Sequence, residues 1–149
     1  MPIHLRTAQL ADAQTVALIH RTARAAAMPW LPVLHSAEQD VRFFHNRVLP
    51  TQTVTLAIIE GQCAGFSAFH EGWLDHLYVA PDFWRQGVGG VLVRVVQDAH
   101  PQISLWTFQA NHAARAFYAA HGFTEVERTD GAMNEEKIPD VRLVWHASP

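Results

Sequence analysis

One stretch constrains the fold more than any other: Leu77-Tyr78-Val79-Ala80-Pro81-Asp82-Phe83-Trp84-Arg85-Gln86-Gly87-Val88-Gly89-Gly90. Ahead of the loop, Trp73 to Val79 alternates as a strand and Pro81-Asp82 ends it. From Gly87 the period lengthens, and Val88, Leu92, Val95, Val96 and Ala99 share one helical face until Pro101 stops the helix. A strand that passes into a helix through glycines has a physical use. No Cβ blocks the approach of a phosphate, and the helix start offers unpaired N–H groups and a partial positive charge. Each such contact is worth ~0.3–1 kcal/mol when exposed and up to ~2 kcal/mol when partly buried. The same glycines have a plainer use, which is to let strand and helix pack closely. Other phosphate motifs do not fit: GxxxxGK[ST] is absent, the glycines are not spaced as GxGxxG, and the loop lies mid-chain.

The remaining chain reads as strands and helices in turn. Ile3 to Arg6 is a short strand, and Asp12 is placed to cap a helix with Val16, Ile19 and Ala23 on its apolar face. The prolines of Met28-Pro29-Trp30-Leu31-Pro32 end that helix. Ser36 and Gln39 form a capping box for a second helix carrying Val41, Phe44 and Val48, closed by Pro50. Thr53 to Glu60 and Cys63 to His70 read as a hairpin about a Gly61-Gln62 turn. Ile103 to Phe108 is a strand, Asn111 caps a helix with Ala114, Phe117, Tyr118 and His121 on one face, and Gly122 ends it. Phe123 to Arg128 and Val141 to His146 are the last strands. The order predicts a single α/β domain over residues 1–149. Its core is a mixed, mostly antiparallel twisted sheet of about six to seven strands, with helices on both faces.

Composition narrows the partners. The 149 residues carry a formal charge of −3 with no basic run, which speaks against nucleic acid. No run approaches the ~18 apolar residues of a membrane span, and the first residues lack the apolar stretch of a signal peptide. Cys63 is the single cysteine, so no intrachain disulfide forms. The ten histidines show neither HExxH nor paired Cys/His spacing, so no metal is expected. A cytoplasmic protein acting on small molecules or peptide ends is the expectation.

Two segments together resemble the GNAT superfamily of N-acetyltransferases, over essentially the whole chain. The strand "LYVAP" precedes a variant of the family's Arg/Gln-x-x-Gly-x-Gly/Ala signature, and "NHAARAFYAAHGF" is similar to its Asn-x-x-Ala-x-x-x-Tyr-x-x-x-Gly-Phe segment. The second is matched by Asn111, Ala114, Tyr118, Gly122 and Phe123. One position departs: Trp84 stands where the signature usually has Arg or Gln, with Arg85 following. The resemblance implies acetyl-CoA as acyl donor. It implies that the main chain around Leu77, Tyr78 and Val79 pairs with the pantetheine arm. It further implies that the amides of Arg85, Gln86, Gly87, Val88, Gly89 and Gly90 cradle the pyrophosphate. Asn111 and Ala114 would line the donor, and Tyr118 would point at its thiol.

Acetyl transfer to an amine sets two proton problems. An amine of pKa ~10.4 is neutral in about one molecule in a few thousand at pH 7, a deficit of ~4.6 kcal/mol. The leaving thiolate also departs more easily if protonated. Tyr118 is the candidate acid, the alternative being a core aromatic whose hydroxyl meets a backbone carbonyl. For the base, alternation puts Trp73, Asp75, Leu77 and Val79 on one face, so Asp75 faces the donor residues; Glu71 and His70 lie just upstream, and His76 points the other way. Each of these carboxylates also reads as a solvated turn or a structural ion pair. Trp30, His35, His70 and Trp73 are candidates for the acceptor pocket, and Glu135-Glu136 for attracting a cationic acceptor. The acceptor is expected to be a primary amine of a small molecule or a peptide N-terminus. Exposed C-terminal strands leave room for a homodimer. Two other functions fit less of the pattern: an acyl-CoA-binding module without chemistry, and a nucleotide enzyme with a divergent loop.

Overall fold

A computed structural model describes residues 2–149; Met1 of the expected N-terminal reading lies outside them. Seven strands make one sheet: β1 (His4–Thr7), β2 (Thr53–Ile59), β3 (Gln62–His70), β4 (Trp73–Val79), β5 (Gln102–Phe108), β6 (Thr124–Arg128) and β7 (Asp140–His146). Their spatial order is β1-β2-β3-β4-β5-β7-β6, and every pair is antiparallel except β4 with β5. The helices are α1 (Ala13–Ala27), α2 (Ala37–Phe43), α3 (Val88–Ala99) and α4 (His112–Ala120). The mixed, mostly antiparallel sheet expected from the sequence is the one observed.

The two faces of the sheet bury different sets. Val16, Ala17 and Ile19 of α1 pack with Phe44, Val48, Val54, Leu56, Phe66 and Ala68. On the other face, Val88 and Leu92 of α3 meet Ala57, Ile59 and Ala64. Farther along that face, Val93, Val96 and Tyr118 join Leu74, Ile103, Leu105 and Leu143. After Phe43 the second helix widens into a π turn, Phe44–Val48, closed by Leu49 N–H to the Phe44 carbonyl at 2.9 Å. Phe44 and Val48 are both fully buried there.

Local signals were mostly obeyed. The Ser36–Gln39 capping box forms, with bonds of 3.1 and 2.8 Å, and Asn111 Oδ1 accepts the Ala114 N–H at 3.2 Å. Asp12 does not cap α1. Its carboxylate turns back to accept the Gln9 N–H at 2.8 Å and a two-pronged bond from Arg6, so it ties β1 to the helix entrance. The β2–β3 turn is Glu60-Gly61, one residue earlier than expected, because Ile59 already pairs with Gln62. Both turn residues have positive φ (49° and 79°), as the tight hairpin turn matching strand twist requires. Glu71-Gly72 repeats it between β3 and β4, with φ 49° and 88°.

The sheet is interrupted at β4. Ala68 pairs with His76 but Phe69 with Leu74, leaving Asp75 as an extra, unpaired residue. Beside it, β4 and β5 pair at a single position, Trp73 with Ser104. Beyond that point the two strands part.

Phe66 is fully buried and meets Phe44, His76 and Tyr78. Phe66→Ala is expected to lower unfolding free energy by ~3–5 kcal/mol, measured by urea denaturation, because it empties the layer between α1 and the sheet.

Candidate active site

The parting strands leave open backbone. Ala80 N–H donates to the Ala64 carbonyl at 2.8 Å, in register with the β3–β4 pairing, so Ala80, Tyr78 and His76 spend their backbone groups on β3. Alternation turns the N–H and C=O of Leu77 and Val79 toward β5, which has already left. A groove of about 600 Å³ runs along this edge, walled by the end of α1, the start of α3 and α4. At one end of the groove α3 starts from Gly87 at φ 81° with no side chain capping it. Its first helical bond is Val91 N–H to the Gly87 carbonyl, so the N–H groups of Val88, Gly89 and Gly90 precede the hydrogen-bonded helix.

Of the residues implied for the donor, Leu77, Tyr78, Val79, Arg85, Val88, Gly89, Asn111, Ala114 and Tyr118 line this groove. Gln86, Gly87 and Gly90 do not; Gly87 shapes the turn, and a Cβ on Gly90 would face the His121 ring at 3.4 Å. Asn111 is committed on both ends of its amide, with Oδ1 on the α4 cap and Nδ2 at 3.4 Å from the Met28 sulfur.

A second cavity, about 270 Å³, fills the fork between β4 and β5. Leu77, Tyr78, Asn111, Ala114 and Tyr118 line both it and the groove, so the two spaces adjoin. Tyr118 is buried, which pushes its phenol well above the ordinary value, with the nearby Tyr78 adding to the shift. At neutral pH it is a proton donor. Its hydroxyl takes no part in a hydrogen bond among the described residues, so it does not spend its proton on a backbone carbonyl.

Asp75 lines the fork cavity. Burial raises its carboxyl, opposed by a hydrogen bond from Gln52 Nε2 at 3.0 Å and by the charge of His70. The bulge separates it from the face expected for it: Leu74, not Trp73 or Asp75, packs on the side of Leu77. Glu71, His70 and Trp73 are not brought to either cavity. Glu71 sits in the hairpin turn with its side chain exposed, 3.5 Å from His70 Nε2, and Trp73 marks the last β4–β5 pair.

Sequence reasoning did not single out Arg24, which lines the fork cavity. Arg24 on α1 donates to the Tyr78 hydroxyl at 3.2 Å and to Glu136 at 3.1 Å. It lines the groove's neighbour cavity together with Glu136 and Asp140. A third space of about 220 Å³ lies behind the Arg24–Glu136 pair, under the α1–α2 connection, and His35 on its wall is paired with Glu135. Trp30 lies outside these spaces, edge-on to Phe108. A polar residue one step from the apolar Val16–Ile19–Ala23 stripe was the only signal for Arg24; Glu135-Glu136 read as an attraction for a cationic acceptor or as a solvated acidic turn, and Glu136 is paired with Arg24.

Between the sheet and α1 lies a histidine cluster. His20 and His76 are edge-on at 5.7 Å, among Phe44, Phe66 and Tyr78, and the Nδ1 atom of each is buried without a partner. Burial pushes His20 down to about 3, with the nearby His76 adding to it, and His76 down to about 4, so both are neutral in the fold. Among the described residues no group of three or more His, Cys, Asp or Glu stands close enough to hold a metal ion. No helix of the described residues is long and apolar enough to cross a membrane.

An open sheet splayed at one parallel pair, with an uncapped glycine helix at the end of the resulting groove, is the arrangement that the resemblance to N-acetyltransferases implies. Residues 20–123 match the model of the acetyltransferase (GNAT) family, and the chain belongs to that family. It is 39% identical over 87 residues to the peptidyl-lysine N-acetyltransferase YiaC of Escherichia coli, a match taking in 58% of each protein. The chain thus spans little more than half the length of that curated relative. Among solved structures it is similar to apo YjaB from Escherichia coli, at TM-score 0.82 and 24% identity, covering 99% of this chain and 100% of that one. It is also similar to the PaiA N-acetyltransferase of Thermoplasma acidophilum in complex with coenzyme A, at TM-score 0.77 and 18% identity, covering 99% and 100%. At these identities the two structures speak for the fold.

The histidine pair sets a pH dependence of stability. The unfolded chain binds protons at these imidazoles near pH 6.5 and the folded one only near 4 and 3, so the unfolded state holds more protons between those values. Stability is full above the unfolded value and falls as pH drops from about 6.5, by up to ~1.4 kcal/mol per pH unit for each histidine. Urea midpoints from pH 7.5 to 4.5 check this. The double variant His20→Leu, His76→Leu is expected to flatten the profile.

Proposed function

We propose that this chain is an acetyl-CoA-dependent N-acetyltransferase acting on the primary amine of a lysine side chain in a peptide, by direct attack in a ternary complex. The observation that carries the reading is Tyr118, a buried phenol that lines both the groove and the fork cavity. The bound coenzyme A of PaiA and the peptidyl-lysine activity in the name of YiaC support donor and acceptor respectively. A small-molecule amine remains the second reading, favoured by the modest size of the fork cavity. A cytoplasmic place agrees with the single cysteine and the lack of a spanning helix among the described residues.

In this reading the open Leu77 backbone and the Val79 N–H pair with the pantetheine arm, the Val79 carbonyl being held by the Trp84 indole, and the N–H groups of Val88, Gly89 and Gly90 hold the pyrophosphate. The thioester then lies at the fork, where groove and cavity meet. The acceptor amine enters from the fork cavity and gives its proton, through water, to Asp75, whose raised carboxyl is a better base than a free one. Its nitrogen bonds to the thioester carbon, an N–H of the open β4 edge stabilises the oxyanion, and the cationic adduct nitrogen releases its second proton to water. The C–S bond breaks, and the Tyr118 phenol delivers its proton to the departing sulfur. Amide and thiol leave, Tyr118 regains a proton from solvent, and Asp75 releases to solvent the proton it took from the amine.

Isothermal titration with acetyl-CoA, with NAD and ATP as controls, tests the donor: binding of acetyl-CoA alone is expected, and heat from either control instead would favour a nucleotide enzyme. Tyr118→Phe is expected to lower kcat by ~10²–10⁴ while leaving acetyl-CoA affinity within about twofold. Unchanged turnover would remove Tyr118 as the acid.

A further inference from the structure

We infer that Trp84 is a positioning residue for the acyl donor: its indole, tied to the Val79 carbonyl, braces the phosphate loop from a position where the family signature carries a polar or cationic side chain. The inference rests on the groove being the donor site, as proposed above.

The loop from Ala80 to Gly87 must turn from the end of β4 into the start of α3. To do so it holds Arg85 at φ 65° and Gly87 at φ 81°. A non-glycine residue in the left-handed region costs roughly 1–2 kcal/mol, so Arg85 persists there only if surrounding contacts hold it. Backbone bonds tie down the near half: Ala80 to Ala64 at 2.8 Å, Phe83 to Ala80 at 2.8 Å and Trp84 to Pro81 at 3.2 Å. Beyond Trp84 the next backbone bond is the first one of α3. The hydrogen bond from Trp84 Nε1 to the Val79 carbonyl, at 2.7 Å, is the side-chain tie that returns the loop to the strand. It falls immediately before the strained Arg85.

The acceptor it uses matters. Val79 turns its carbonyl to the edge that β5 has vacated, where no strand pairs with it. The indole satisfies this carbonyl with a neutral donor that never titrates near neutral pH. Trp84 also lines the groove beside Phe83 and Arg85, so the brace stands next to the path of the donor. Held this way, the loop keeps the N–H groups of Val88, Gly89 and Gly90 presented together. Position 84 then aids phosphate binding without contacting a phosphate, which accounts for tryptophan at a signature position.

The test separates the phosphate end of the donor from its pantetheine end. Trp84→Phe keeps an aromatic ring and removes the N–H. Its KM for acetyl-CoA is expected to rise about tenfold, the weight of one hydrogen bond, with kcat within about twofold of the parent. With S-acetylpantetheine, which lacks the nucleotide and pyrophosphate, KM is expected to be unchanged. An equal rise for both donors would mean that Trp84 serves the fold or the pantetheine arm, and would overturn the inference. A fall in KM for acetyl-CoA would mean that the indole competes for the Val79 carbonyl, and no change would mean that it braces nothing; either overturns it. Arg85→Glu tests the groove by itself. If that charge reversal leaves acetyl-CoA affinity intact, the donor lies elsewhere and the groove reading fails, whatever Trp84→Phe does.

Discussion

Everything at the site depends on β4 and β5 touching at one pair, Trp73 with Ser104, and then separating. A continuous parallel ladder would consume the N–H and C=O groups of Leu77 and Val79, and no groove would exist beside them. The extra residue at Asp75 accompanies the separation on the β3 side. A bulge adds local twist, and here it lies where the strand swings away from its parallel neighbour. The opening is filled from one face by α4, whose Tyr118 and Ala114 close the floor of the fork. A gap in a sheet exposes unpaired backbone, which is costly unless a ligand or water takes it up. That cost makes the opening a binding feature.

The mouth of the fork cavity is organised by charge. Arg24 is mostly buried, and its two partners come from different elements: the Tyr78 hydroxyl on β4 and the Glu136 carboxylate between β6 and β7. The pair therefore fixes the β6–β7 connection against α1, across the mouth of the fork. Breaking one partner of such a pair leaves an uncompensated charge in a poorly hydrated place, which costs far more than the intact pair contributes. Glu135, paired with His35, fastens the same connection to the segment ahead of α2. The aromatic and imidazole cluster behind Arg24 is neutral and carries two unpartnered nitrogens. Polarity is thus concentrated at the cavity surface while the layer beneath it carries no charge.

The sequence made periodic and local features legible and concealed those made by distance. The capping residues Ser36, Gln39 and Asn111 act within one turn of helix, so spacing alone reveals them. The β4 face was misread because strict alternation has no way to show an inserted residue, and Asp75 is one. Glu71, His70 and Trp73 looked close to the site because they are close in the chain, yet none of them lines the groove or the fork cavity. Arg24 and Glu136 are the reverse: separated by most of the chain, they meet only once seven strands and a long connection are in place. Their chemistry is ordinary until that contact is made.

The two uses weighed for the glycines are joined in one piece of geometry. Gly87 is there for its left-handed φ, and nothing crowds a Cβ at that position. Gly89 has a different reason: a Cβ there would stand 3.2 Å from the ring of Phe117, so its absence lets α4 lie close against the first turn of α3. Phe117 precedes Tyr118 on α4, and the two rings lie edge to face at 5.1 Å. The close approach that packing demands therefore carries Tyr118 toward the same helix start whose Val88 and Gly89 line the groove. A larger residue at position 89 would push α4 outward and displace Tyr118 with it. If the groove holds the donor as proposed, packing and phosphate binding are in this way a single requirement, and the spacing between the α3 start and Tyr118 is set by a side chain that is not there.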